Sequence, residues 1–258
     1  MTGRIAALYR HPVKGFTPER LDAAVLQAGA HFPCDRIFTV EDGPSGFDPA
    51  EPRHISKMKF AVLAKIPELA RARTLYDEAS GQLSVTVEGG LPFFGKLTTA
   101  EGRGAFARWL EGFLEDQAPD DSYGPLQVLS APGGHRFMDS KKGFVSILNL
   151  ESVRELERRL GRPVDPARFR ANVLVEGWPA WSEYGLEPGR GLQLGGARLG
   201  LLADIDRCAA THVDPRTGIK DIDMVPALHG AYGHICCGIY AEVVQGGTVA
   251  VGDEAAAP

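Results

Sequence analysis

The chain has 258 residues, 44% of them apolar, and a formal charge of -5 from 28 basic and 33 acidic side chains scattered along its length. That length allows one large or two modest domains around an ordinary core, and the charge excludes the basic face that displaces counterions from a polynucleotide. No stretch approaches the roughly 20 apolar residues of a bilayer-crossing helix, and Met1 to Ile5 carries no apolar signal core, so the expected compartment is the cytoplasm.

From Ile5 to about Gly95 short apolar runs alternate with turn residues, predicting strands at Ile5 to Tyr9, Ala23 to Leu26, Arg36 to Val40 and Gln82 to Val87. Phe60 to Arg73 has apolar residues at helical spacing, with Pro67 expected to kink or split the helix. Thr99 to Asp116 repeats Phe106, Trp109, Leu110, Phe113 and Leu114 on one face, and Glu101 suits the positive end of the dipole. Pro119 to Pro125 is polar and turn-rich, which makes it the candidate linker and divides the chain into 1–119 and 120–258. A strand at Leu126 to Leu129 follows.

Asn149 is a good N-cap for a helix whose Val153, Leu156 and Leu160 share a face and which Gly161 and Pro163 end. Strands return at Asn172 to Glu176 and at Leu192 to Leu194, which Gly195 and Gly196 turn into Arg198 to Leu202. A final pair, Tyr240 to Val244 and Thr248 to Val251, is expected around Gly246 and Gly247. Many short strands, few helices and no strand-helix alternation predict a mainly β or α+β fold of barrel type.

Four cysteines, Cys34, Cys208, Cys236 and Cys237, are too few and too irregular for a disulfide framework or a zinc ribbon. Free thiols are expected, one of them available for chemistry. His229, His234, Cys236 and Cys237 are the other candidate metal cluster, at a spacing that matches no common zinc pattern. The glycines at 189, 191, 195 and 196 make no dinucleotide fingerprint, and neither a phosphate loop nor a nucleophile elbow occurs.

The most informative stretch runs from Asp206 to Gly218. Cys208 stands beside Arg207 just past a strand end, where a positive neighbour favours the thiolate, and a soft thiolate suits the softer metals. By spacing alone an inert buried cysteine is the commoner outcome. Asp214, ahead of Pro215 and the Arg216-Thr217-Gly218 turn, is expected to accept backbone hydrogen bonds and fix the loop.

Arg207-Cys208-Ala-Ala-Thr211-His-Val213-Asp214-Pro215-Arg-Thr217-Gly218 resembles the Arg-Cys-x-x-Thr-x-Val-Asp-Pro-x-Thr-Gly signature of the MOSC family. Ile5 to Lys14, with Tyr9, Pro12 and Val13, resembles the opening of the MOSC N-terminal β-barrel domain, and Cys34-Asp35-Arg36 resembles its Asp-Arg step. Phe169 to Val173 is similar to the family's Phe-Arg-Pro-Asn run, and Gly247 to Asp253 to its closing segment. Gly15, Ala171 and His212 depart from the pattern, where serine, proline and threonine are usual.

The resemblance implies an N-terminal β-barrel-like unit packed on a C-terminal MOSC β-barrel with a few peripheral helices. It also implies a molybdenum cofactor, whose molybdopterin carries a phosphate and whose metal takes one protein ligand. Cys208 is the implied molybdenum ligand and catalytic residue, with Lys14, Arg36, Ser146, Arg170, Asn172 and Arg207 as cofactor-binding residues. Arginine's planar fork suits phosphate, and Asn172 suits a pterin edge. Taken alone, each basic residue is more often a solvated surface charge.

The implied activity is that of the amidoxime-reducing branch, which reduces N-hydroxylated small molecules. The chain has no C-x4-C-x2-C ferredoxin run, so a separate electron donor is expected as partner. The rival expectations are a sulfur or cofactor carrier using Cys208, and a small-molecule binding barrel without redox chemistry.

Overall fold

In a computed structural model, residues 1–117, 124–187, 189 and 191–257 are described, and the segment expected as a linker lies largely outside them. The fold is mainly β, with three α-helices among the described residues. Seven strands close into a barrel: β1 (Thr2–Arg10), β10 (Val173–Glu176), β9 (Val145–Asn149), β13 (Cys236–Gln245), β12 (Ala197–Asp206), β11 (Gly191–Leu194) and β15 (Glu254–Ala256). β2 (Glu19–Leu21) extends the sheet from β1.

Closure depends on the start of the chain. β1 runs antiparallel to β10 through Leu8↔Val173 and to β15 through Gly3↔Ala255. The strand pairing thus crosses the expected division at 119/120, because a barrel without its last strand leaves two unpaired edges. The barrel is filled by Ile5, Ile147, Val175, Leu192, Leu199, Ile239 and Trp178, all buried. Trp178 spends its indole N–H on the Ala255 carbonyl at 2.9 Å.

The second core lies under the other short sheets. β4 (Phe38–Asp42) pairs with β8 (Leu126–Ser130), while β5 (Arg73–Asp77), β6 (Gln82–Thr86) and β7 (Phe93–Lys96) form a meander. α1 (Ala100–Gln117) lays Phe106, Leu110, Phe113 and Leu114 into this core. The rings of Phe93, Phe106, Trp109 and Phe113 stack or tilt on one another at centroid distances of 5.1 to 6.1 Å.

α2 (Leu150–Leu160) forms as its sequence dictates, with the Asn149 side chain accepting from Glu151 N–H and Gly161 ending it at φ 65°. α3 (Met224–Tyr232), which periodicity does not reveal, ends on Gly233 at φ 76°. Among the described residues no helix is long and apolar enough to cross a membrane.

Three expectations are corrected. The helix at Phe60 to Arg73 does not form: a 3-10 turn at Lys57–Lys59 precedes the stretch, and a second, Pro67–Arg71, lies within it. Pro67 starts the second turn, and the apolar residues between serve the core without regular structure. The strand expected from Arg36 begins at Phe38, since Arg36 is left-handed at φ 50°. The final strand pair is not a hairpin: β14 (Gly247–Ala250) pairs with β3 (Ala23–Leu26), whereas β13 pairs with β12 and β9. A Cβ on Gly247 would stand 2.2 Å from the Gly196 carbonyl, so glycine lets two backbones cross there.

Candidate functional site

A cavity of about 300 Å³ opens where the barrel end meets the second core. β12 delivers its far wall. Bulges between Leu201 and Ala203 and between Asp204 and Asp206 bend the strand end, and the chain emerges as Asp206, Arg207 and Cys208 along the cavity. Cys208 is half-buried and precedes a 3-10 turn, Ala209–His212, in which the Thr211 N–H and hydroxyl both donate to the Cys208 carbonyl, at 2.9 and 2.8 Å.

The rest of that loop is tied down from behind. Buried Arg168 donates to the His212 carbonyl at 3.1 Å, to Asp214 at 3.2 Å and to Asp221 at 2.7 Å. Asp214 accepts from the N–H groups of Arg216 and Thr217, both at 2.9 Å, which is the structural role expected of it. His212 accepts from Val225 N–H at 3.4 Å and is not part of the cavity wall.

The opposite wall is basic. Lys14 follows β1, its N–H donating to the Phe38 carbonyl, and its buried ammonium donates to the Phe137 carbonyl at 2.8 Å and to Asp139. Burial lowers the Lys14 pKa, with Asp139 opposing and Arg36 and Arg170 adding to the effect. The Asp139 carboxyl is held down at about 2, against its own burial, by Lys14, Lys57 and Arg36.

Arg36 and Arg170 are non-glycine residues in the left-handed region, at φ 50° and 52°. Such backbone persists only where its surroundings over-determine it, and it concentrates at functional sites. Arg36 pairs with Asp35 and reaches the Arg170 carbonyl at 3.3 Å, while Arg170 Nη1 donates to the Phe16 carbonyl at 2.6 Å. Burial, and then repulsion from Arg36, push the Arg170 pKa down to about 10. Its Nη2 is buried without a partner. Two guanidiniums thus crowd together at the cavity wall, one of them with a buried donor left open.

Six of the seven expected site residues, Lys14, Arg36, Ser146, Arg170, Arg207 and Cys208, line this one cavity. Asn172 does not. It is fully buried behind Ser146, accepting from the Ser146 N–H and hydroxyl at 3.1 and 2.8 Å and donating to the Tyr9 carbonyl at 3.2 Å. Ser146 lies within β9, and its N–H is spent on Asn172 and is not free for an anion.

Arg207 is likewise turned into the protein, donating to the carbonyls of Cys237 and Phe169 and lying over the Phe169 ring. The cation at the Cys208 thiol is Lys57, which periodicity did not single out. Its pKa is raised: burial works against the ammonium, but the nearby Cys208 and Asp139 outweigh that cost. The rival metal cluster does not form. Among the described residues no three His, Cys, Asp or Glu side chains could hold a metal ion. Cys236 donates instead to Asp206 at 3.1 Å, and burial together with that carboxylate pushes its thiol up to about 12.

Fold and site together define a closed β-barrel protein that presents a free thiol and a cluster of buried cationic side chains in one cavity. The sequence model of the MOSC domain matches residues 134–256 and that of the MOSC N-terminal beta barrel domain matches residues 2–117, so the chain belongs to the MOSC-domain family. That family includes proteins that bind the molybdenum cofactor. Among solved structures the chain is similar to the YUAD protein of Bacillus subtilis, 17% identical with a TM-score of 0.46 over 99% of this chain and 94% of that one. It is also similar to YiiM of Geobacillus stearothermophilus (18% identical, TM-score 0.37, 51% and 67% covered) and of Escherichia coli (17%, 0.35, 46% and 57%). No curated protein matches it.

Proposed function

We propose that this protein is a molybdenum-cofactor-dependent oxidoreductase that reduces N-hydroxylated substrates, amidoximes and hydroxylamines among them, with electrons from a separate donor protein. The observation that carries the reading is the meeting of the Cys208 thiol with the Arg36 and Arg170 side chains in one cavity. A group that brings both a soft metal and a phosphate matches those two features at once.

Arg170 and Arg36 would take the phosphate, with Lys14 adding positive charge, and Cys208 would ligate the metal. Ser146 forms part of the wall behind them. When bound, the cofactor supplies a two-electron reduction in which the substrate oxygen leaves as water. Lys57 stands at the thiol with its ammonium charged, the protein's own donor beside the reacting centre. Val62, Leu63 and Met138 supply apolar wall and limit water.

The test is metal analysis of protein made in a host that synthesises the cofactor, beside Cys208→Ala. Near-stoichiometric molybdenum in wild type, absent from the variant, is expected, together with amidoxime reduction by reduced viologen. Molybdenum without reduction supports the carrier instead, and no molybdenum in either protein overturns the cofactor reading.

A further inference from the structure

Behind the basic wall lies His11, fully buried, which neither the cavity lining nor the signature includes. It touches the left-handed turn that carries Arg36 at three points. Its N–H donates to Asp35 Oδ1 at 2.7 Å, its ring Nδ1 meets the same oxygen at 3.3 Å, and its carbonyl accepts the Arg36 N–H at 2.7 Å. Asp35 in turn gives its other oxygen to the Arg36 guanidinium.

Asp35 is held well below the usual carboxylate range by Arg36 and His11 despite its burial. Its oxygen therefore accepts, so the proton of the ring sits on Nδ1 and Nε2 is an acceptor. Nε2 is buried without a partner, as is the donor Nη2 of Arg170. Each buried polar atom left open in this way costs free energy.

We propose that His11, which does not line the cavity, is a positioning residue that sets Arg36 through Asp35, so that the Arg36 guanidinium is held at the cavity wall. The inference rests on the anion site of the proposed function and concerns how that site is held. Partners one layer behind a binding group cost roughly 10- to 100-fold in affinity when removed.

The experiment uses the full chain without cofactor and inorganic phosphate as the probe, followed by calorimetry and by NMR of protein labelled with 15N-histidine. Phosphate is expected to bind wild type, to bind His11→Phe roughly 10-fold more weakly, and to recover part of the loss in His11→Asn, which keeps a donor near the Nδ1 position. In wild type, phosphate saturation is expected to shift the His11 Nδ1 resonance, through Asp35 and Arg36, which a purely space-filling histidine would not show. A folded His11→Phe that binds phosphate as well as wild type, or an Nδ1 resonance indifferent to phosphate, overturns the inference and leaves the proposed function standing. Should the variants fail to fold, the wild-type resonance decides alone. No phosphate binding by wild type removes the anion site and overturns both.

Discussion

Replacing Asn172 by alanine separates a cofactor contact from a structural tie. The side chain stands between β9, β10 and β1, and its loss strips the acceptor from the Ser146 N–H and hydroxyl and the amide donor from the Tyr9 carbonyl. An orphaned buried amide costs about 1–3 kcal/mol. The hydroxyl keeps its bond from the Asn172 N–H at 3.0 Å and can turn, so it adds little. With the carbonyl and the space left by the amide, the sum is about 3 kcal/mol. For a protein of this size each kcal/mol moves Tm by about 2–4 °C, so Asn172→Ala without cofactor is expected to melt about 6–12 °C lower. Differential scanning calorimetry of the apo protein measures it. A Tm unchanged to within about 2 °C, with cofactor affinity reduced, would refute the reasoning and return Asn172 to the pterin.

Three further outcomes follow from the same geometry. Burial, then Arg170 and Arg36, lower the His11 pKa to about 3 from an ordinary 6.5, so below pH 6.5 the unfolded chain binds a proton that the folded chain refuses. Stability contributed by neutral His11 is thus full above pH 6.5 and falls by about 1 kcal/mol per pH unit toward pH 3, a slope that urea titrations of folded His11→Phe should show flattened. Arg168→Gln leaves Asp214 and Asp221 without their buried partner and is expected to cost about 3 kcal/mol. Its loop should then be cut by trypsin at Arg216 much faster than in wild type, and an unchanged cleavage rate would show the tie to be dispensable. In Gly238→Ala the new Cβ would stand 2.5 Å from the Ile147 carbonyl and 3.1 Å from Arg207 Nη2, at φ 86°. That variant should lose at least about 2 kcal/mol in chemical denaturation, and a variant as stable as wild type would show that this approach of β13 to β9 is slack.

The elements legible in the chain were those whose cause is local. Asn149 and Gly161 bracket α2 because a cap needs only its own neighbours, and the Gly195-Gly196 turn joins β11 to β12 because a hairpin closes on itself. The strand expected at Arg36 and the helix expected at Phe60 to Arg73 failed where tertiary demand overrode pattern. Arg36 gives up extended backbone for a left-handed turn tied to His11 and Asp35, while Ile66 reaches the second core from irregular chain and Leu69 from a 3-10 turn.

The same division runs through the site. The run from Arg207 to Gly218, the Asp35-Arg36 step and Arg170 can be read in the sequence, because the chemistry of each is carried by its own side chain and immediate neighbours. That β1 closes a barrel built mostly from residues beyond 144 was settled by strand pairing across the whole chain, which no local pattern records. Tertiary structure likewise turned Arg207 inward, buried Asn172 behind Ser146, brought Lys57 to the Cys208 thiol and set His11 behind Arg36. A side chain's partner depends on which distant backbone comes to lie beside it, and only closing the barrel against the second core decides that.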